Sequence, residues 1–209
     1  GTGGMLIEAI RHIGDKKMTY GKMYGQEKNL STSAIARMNL FLHGARDFII
    51  VQGDTLRQPA FIQNDQLQTF NCVIANPPFS LDKWGADQFE SDKYGRNIWG
   101  CPSDSSADLA WLQHMVKSMD PKNGKCAVVL PQGVLFQEGK VGSIREQLIK
   151  SDKLECIITL AGGIFYSTTV SACILLLNNN KPIHHRGRVC LIDASNIYTP
   201  MRAQKIMTD

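Results

Sequence analysis

Apolar residues recur at helical spacing at Leu6, Ile7, Ile10 and Ile13, which predicts a first helix from Gly4 to about Asp15. Residues 19–28 read as a short extended segment centred on Met23 and Tyr24. Asn29 or Ser31 can cap a second helix from Ser33 to His43, with Ile35, Met38, Leu40, Phe41 and Leu42 as its apolar face and Gly44 as its stop. Phe48–Val51 is the next strand, closed by Gly53 and Asp54. A polar stretch from Arg57 to Thr69 leads to the strand Phe70–Ala75. Residues 80–105 carry no period and are broken by Gly85, Gly95, Gly100 and Pro102. Regularity returns with a helix over Ser106–Met119, a strand over Lys125–Leu130 and a helix over Val141–Ser151. The strands Leu154–Leu160, Val170–Leu177 and Arg188–Ile192 follow.

Strands alternating with helices predict an α/β fold with a doubly wound, mostly parallel, Rossmann-like sheet. The last strands have no helix between them and are expected to pair as antiparallel hairpins at one edge. No repeat or linker divides the chain, so residues 1–209 are expected to form a single domain. The glycine-rich opening Gly1-Thr2-Gly3-Gly4 is of the kind that follows a strand, so the fold is expected with its first strand missing.

Composition narrows this little. Apolar residues make up 43% and charged residues 20%, the ordinary balance of a globular protein. A formal net charge of +4 permits a polyanionic partner without demanding one. There is no apolar run of the roughly 18 residues a membrane helix needs, and no signal-peptide pattern. The six cysteines are scattered with no CxxC pair, which predicts reduced, mostly buried thiols in a cytosolic protein. His184 and His185 lie in a polar turn with no third ligand nearby, so no metal site is expected.

In such a sheet, ligands bind at the carboxyl ends of the strands, and candidate residues cluster there. Gly1-Thr2-Gly3-Gly4 opens a helix whose free N–H groups can receive a carboxylate or phosphate, although glycine-rich turns are common. Glu27 stands where nucleotide-binding sheets hold ribose hydroxyls; a lone Glu is more often a surface residue. Asp54 could accept from an adenine amino group; alone, it is more often a turn or cap residue. The specific feature is Asn76-Pro77-Pro78-Phe79, directly after a buried strand. The Asn76 amide oxygen and the Pro77 carbonyl can both accept from an NH2 group, the prolines stiffen the turn, and Phe79 offers a stacking face. This pattern points to methyl transfer onto an exocyclic or amide nitrogen.

These residues fall in a run of blocks. Tyr24-Gly25-Gln26-Glu27 precedes Ala36-Arg37-Met38-Asn39-Leu40-Phe41-Leu42-His43-Gly44 and Gly53-Asp54-Thr55-Leu56. After Asn76–Phe79 come Val128 to Phe136, Gly163-Ile164-Phe165 and Leu191-Ile192-Asp193-Ala194-Ser195. In this order, over nearly the whole chain, the sequence resembles the methylation subunits of type I DNA restriction–modification systems, which are adenine-N6 methyltransferases. The resemblance implies S-adenosylmethionine as donor, with Gly1, Thr2 and Gly3 at its methionine end, Glu27 on its ribose and Asp54 on its adenine. Asn76 and Pro77 would grip the target amine, Pro78 would stiffen the turn, Phe79 would stack on a flipped base, and Phe165 would face that base from the other side. Apart from the resemblance, the glycine-bearing loop 80–105 could close over the base and bring Lys83, Lys93 and Arg96 to phosphates, or equally be a solvated loop with Asp82, Asp87, Glu90 and Asp92 among those cations. The implied partners are duplex DNA, a specificity subunit and a restriction subunit, in a cytoplasmic assembly with two methylation subunits. Against the family pattern, an N-terminal helical region, a C-terminal extension and a strand ending in an acidic residue and proline are expected to be absent. The residues alone leave open a guanine amine in RNA, a glutamine amide in protein, or a non-catalytic interaction module.

Overall fold

The computed structural model describes residues 1–165, 170–200 and 205–206. They divide into two compact units, Gly1–Gln66 and Leu67–Asp209.

The first unit is built from α1 (Gly4–Ile13), β1 (Tyr24–Glu27), α2 (Leu30–Leu42) and β2 (Ile49–Gln52). β1 and β2 run parallel, from Tyr24 opposite Ile49 to Glu27 opposite Gln52, with α2 as the crossover. Ile7, Ile10, Leu40 and Ala45 form its core, with Leu6, Met23, Phe48 and Ile50 packed against them. Asn29 starts α2 earlier than the apolar pattern suggests, because its side chain accepts from the Thr32 amide at 2.9 Å.

Of the expected apolar face of α2, only Leu40 packs. Ser33, Ala36 and Leu40 are buried, whereas Phe41 and Leu42 are each 70% exposed, and Leu30, Ile35 and Met38 are exposed with them. The helix has two apolar sides. At 100° per residue, Leu30, Ala34, Ile35, Met38, Phe41 and Leu42 share one side, and Ala36 and Leu40 lie on the other. The narrower, smaller side is the one that packs. Beyond β2, a short hairpin of β3 (Ile62–Gln63) and β4 (Gln66–Leu67) interrupts the stretch expected to be irregular. It turns on Asn64 and Asp65, whose φ angles of 51° and 59° suit a type I′ turn.

The second unit holds β5 (Cys72–Ala75), α3 (Ala86–Glu90), α4 (Asp108–Lys117), β6 (Lys125–Pro131), α5 (Lys140–Lys150), β7 (Leu154–Leu160), β8 (Ala172–Asn178) and β9 (Cys190–Ala194). Its sheet has the order β5-β6-β8-β7-β9. β5 is parallel to β6, and β7 to β9, while β8 runs antiparallel to both β6 and β7. All but β8 therefore point one way, in keeping with a mostly parallel sheet. The expected antiparallel hairpin forms between β7 and β8, but its reversed strand β8 lies inside the sheet, and the edge strand β9 pairs parallel to β7. The reason is burial. β8 is apolar nearly throughout, with Ala172, Cys173, Leu175 and Leu177 buried, so it is stable only between two neighbours. Conversely, Cys72 and Cys190, expected to be buried, are exposed because they open the two edge strands.

One face of this sheet carries the main core. Leu109, Leu112, Met115 and Val116 of α4 and Ile144 and Leu148 of α5 pack on Cys126, Val128, Leu130, Leu175 and Leu177. A bulge between Leu154 and Cys156 shifts the phase of β7, so that both Leu154 and Ile157 reach this core. No helix among the described residues is long and apolar enough to cross a membrane.

The two sides of α2 can be told apart by stability. Leu40→Ala should cost about 2–5 kcal/mol in urea unfolding because it empties a core position. Phe41→Ser should stay within about 0.5 kcal/mol of wild type, and equal losses would place Phe41 in a core instead.

Candidate active site

Gly3 caps α1 in the left-handed region at φ 86°, and a Cβ there would approach the Ala36 carbonyl oxygen to 3.3 Å. No side chain caps the helix, so its first-turn N–H groups are left for an external acceptor. The segment is held by Asn39, whose side-chain amide donates to the Thr2 carbonyl at 3.0 Å. Glu27 ends β1. Its Oε1 accepts from the Asn29 amide at 2.7 Å, and its Oε2 contacts the Gly1 amine. Asp54 follows β2. Its Oδ1 accepts from the Leu56 and Arg57 amides at 3.1 and 3.2 Å, and its Oδ2 lies 2.9 Å from Lys28 Nζ. Burial pushes the Asp54 carboxyl up, but Lys28 and the two amides outweigh it and hold the group below its ordinary value. Gln26 adds a brace that the sequence does not advertise. Its side chain donates to Gln58 O at 2.9 Å and accepts from Ala60 N at 3.0 Å, tying the chain after Asp54 to β1.

In the second unit, Asn76-Pro77-Pro78-Phe79 leaves the carboxyl end of β5. Asn76 and Pro78 are exposed, Pro77 is buried, and Phe79 is half-buried. The Phe79 and Phe165 rings meet edge to face, with centroids 6.2 Å apart and planes at 87°. The structure thus brings the two predicted stacking residues together, but in direct contact, with no room for a base between them. Ser80, directly after the motif, sits at φ 51°, a left-handed conformation that costs an L-residue about 1–2 kcal/mol.

Two residues of this region went unread in the sequence. The side-chain amide of Gln132, just past β6, donates to the carbonyls of Leu160 and Ala172 at 3.4 and 3.3 Å. Asp108, in the first turn of α4, accepts from the Ser80 amide at 2.9 Å. A mid-sequence Gln or helix-start Asp carries no local pattern that distinguishes these roles.

Loop 80–105 is a packed segment rather than an irregular, solvated one. It contains α3, and Trp84 and Phe89 are buried with ring centroids 5.3 Å apart. Arg96 is only 2% exposed. Its guanidinium pairs with Asp92 Oδ1 at 2.6 Å and lies over the Phe89 ring at 5.3 Å. Burial alone would raise the Asp92 carboxyl, but Arg96 outweighs it and holds the group below the carboxylate range. Arg96 is a buried structural ion-pair partner, which corrects both alternatives open for it, a phosphate contact and a solvated loop charge. Lys83 and Lys93 are exposed. No group of three or more His, Cys, Asp or Glu among the described residues could hold a metal ion.

A mostly parallel sheet with this turn at a strand's carboxyl end defines the fold class as that of Rossmann-like methyltransferases. The chain belongs to the N-6 DNA Methylase family, whose model matches residues 1–209. It is 36% identical over 203 residues to the type I restriction enzyme MjaVII methylase subunit of Methanocaldococcus jannaschii, covering 93% of this chain and 34% of that protein. It is 35% identical to the HindI methylase subunit of Haemophilus influenzae, covering 94% of this chain and 43% of the relative. Among solved structures, the type I restriction-modification methyltransferase subunit from Streptococcus thermophilus superposes with a TM-score of 0.90 at 33% identity, over 100% of this chain and 44% of the other. The chain therefore spans between a third and a half of the length of these relatives.

Arg96→Ala should destabilise the second unit by about 3–5 kcal/mol in urea unfolding, because it strands a buried carboxylate. Asp92 has a depressed pKa, so the pair's contribution is complete above the ordinary carboxylate range and is lost as pH falls through the lower folded value. The penalty of Arg96→Ala should shrink below about pH 4. A small, pH-independent effect would show that the pair is not structural.

Proposed function

We propose that this chain carries the chemistry of an adenine-N6 DNA methyltransferase, within the modification subunit of a type I restriction–modification system acting in the cytoplasm. The observation that carries the reading is the Asn76–Phe79 turn at the carboxyl end of β5, with the Phe165 ring against Phe79. The named relatives, all methylase subunits of type I enzymes, support it.

The residues of the first unit suit S-adenosylmethionine. The uncapped α1 N-terminus, kept bare by Gly3, suits its carboxylate. The Glu27 carboxylate suits ribose hydroxyls, and Asp54 the adenine amino group. When bound, this donor supplies an electrophilic methyl group on a sulfonium centre.

The adenine amine is a poor nucleophile because its lone pair is delocalised into the ring. Asn76 Oδ1 and the Pro77 carbonyl accept its two hydrogens and favour a pyramidal nitrogen with its lone pair free. Preorganised polar groups of this kind are worth roughly 2.7–4 kcal/mol each where charge develops. With the donor bound, Asn76 and Pro77 would hold the amine in line with its methyl group; the donor would depart as the neutral thioether, and the surplus N–H proton would pass to solvent. A target base in duplex DNA must first be flipped out. Stacking on Phe79 offsets part of that cost by about 1–3 kcal/mol. Association with a specificity subunit that selects the site, and with a restriction subunit, in an assembly with two methylation subunits, belongs to the same reading.

The test is transfer of labelled methyl from S-adenosylmethionine by the full-length subunit in its complex. Label should enter the N6 position of adenine in unmethylated bacterial DNA, and label in RNA or protein instead would overturn the substrate. Asn76→Ala should abolish transfer while leaving donor affinity, read by calorimetry, nearly intact. Full activity of that variant would remove Asn76 from the chemistry.

A further inference from the structure

The Asn76–Phe79 turn is stiffened by its prolines and packed at Pro77 and Phe79, but its backbone also needs an anchor where it ends. Pro77 and Pro78 have no N–H to donate, and Asn76 and Pro78 are exposed. The next residue, Ser80, stands in the left-handed region at φ 51°, where a non-glycine residue persists only if its surroundings hold it there. Its amide donates to Asp108 Oδ1 at 2.9 Å. Asp108 is 6% exposed, and its other oxygen accepts from the Ser106 hydroxyl at 2.9 Å, so both carboxylate oxygens are engaged. It sits in the first turn of α4, where the helix N-terminus favours a negative charge. The next residues of α4 bear on the sheet through Leu109 and Leu112, so the carboxylate is mounted on the main core. Two further bonds lace the same strip: Ala107 N–H donates to Leu81 O at 3.0 Å, and Lys83 N–H to Asp104 O at 2.8 Å.

We infer that Asp108 is a positioning residue for methyl transfer, its carboxylate holding Ser80 and through it the placement of Asn76, Pro77 and Phe79. The inference rests on the methyl-transfer reading above. Asp108 touches neither donor nor base. Without it, Ser80 is free to leave the left-handed region, and the chain immediately before it turns with it. The acceptors for the amine then lose their alignment, and a misplacement of about 1 Å costs on the order of 100-fold in rate. Donor binding, which draws on residues of the other unit, is left as it was.

The experiment uses the full-length subunit in its complex, unmethylated bacterial genomic DNA and labelled S-adenosylmethionine, under single-turnover conditions. Asp108→Ala should slow transfer by about 100-fold with an unchanged half-saturating donor concentration. Asp108→Asn should restore most of the rate, because its amide oxygen still accepts from Ser80 and its NH2 can donate to Ser106. Should Asp108→Ala fail to fold, Ser80→Pro asks the same question from an exposed position. It removes the amide donor and fixes φ near −65°, and should slow transfer comparably. A wild-type rate for Asp108→Ala or Ser80→Pro, or an Asp108→Asn rate as low as that of Asp108→Ala, would overturn the inference. Asn76→Ala separates the two levels. If it is inactive while Asp108→Ala is fully active, only the positioning role fails; if both are fully active, the role of the Asn76–Phe79 turn fails as well, and a wild-type complex that transfers no methyl would overturn the methyl-transfer reading itself.

Discussion

The second unit is organised by the direction of one strand. β8 bonds along its whole length to β6 on one side and along most of it to β7 on the other, and runs against both. With β8 between them, β6 and β7 point the same way, and β5 and β9 follow by parallel pairing. The carboxyl ends of β5, β6 and β7 therefore share one rim. Asn76 leaves that rim from β5, Gln132 from β6, and the segment to Phe165 from β7. Gln132 locks it where the strands meet: its backbone amide donates to Ser171 O at 2.9 Å, while its side chain reaches Leu160 and Ala172. The contact between Phe79 and Phe165, 86 residues apart in sequence, is a consequence of this alignment.

In the first unit the controlling feature is turn chemistry. Asp54 does what an isolated turn Asp commonly does, accepting from the amides two and three residues ahead. That role does not conflict with a ligand role. Its backbone bonds use Oδ1, whereas Oδ2 faces Lys28, a side chain 73% exposed. An exposed ion pair of this kind is worth about 0–1 kcal/mol, so a hydrogen-bonding ligand can displace it at little cost. Glu27 is arranged similarly, with one oxygen committed to the Asn29 amide.

The elements were legible in the sequence where local chemistry determines them. The α1 pattern of Leu6, Ile7 and Ile10, the Asn29 cap and the Lys125–Pro131 strand all stand close to where they are read. Three features were not legible, each for a physical reason. Periodicity reveals that α2 is apolar but not which of its two apolar sides packs. Strand order is a long-range property, so the place of β8 between β6 and β7 is invisible to any local window. The core of loop 80–105, formed by Trp84, Phe89, Asp92 and Arg96, has no helical or strand period, and a buried Arg reads from sequence as a surface charge. The site divides the same way. Asn76–Phe79 announces itself through two prolines, whereas Asp108, bonded to Ser80 across 28 positions, has no local signature.

The packing of loop 80–105 changes how the proposed chemistry would work. A mobile lid would have to order itself around each flipped base, and that ordering would oppose binding. Here the segment behind the turn is already ordered by a buried ion pair, an aromatic pair, backbone bonds to Asp104 and Ala107, and the Trp84 indole N–H donating to the Ser103 carbonyl. On the proposed reading, the remaining adjustment is confined to the Phe165 ring. The Phe79–Phe165 contact is worth about 0.5–1.5 kcal/mol beyond its buried area, whereas a base stacked on an aromatic ring gains about 1–3 kcal/mol. The two terms are of similar size, so a base could compete for the ring. On that reading, Phe165 would give up its edge-to-face contact with Phe79 when a base arrives, while the proposed amine acceptors Asn76 and Pro77 keep their place on the β5 side.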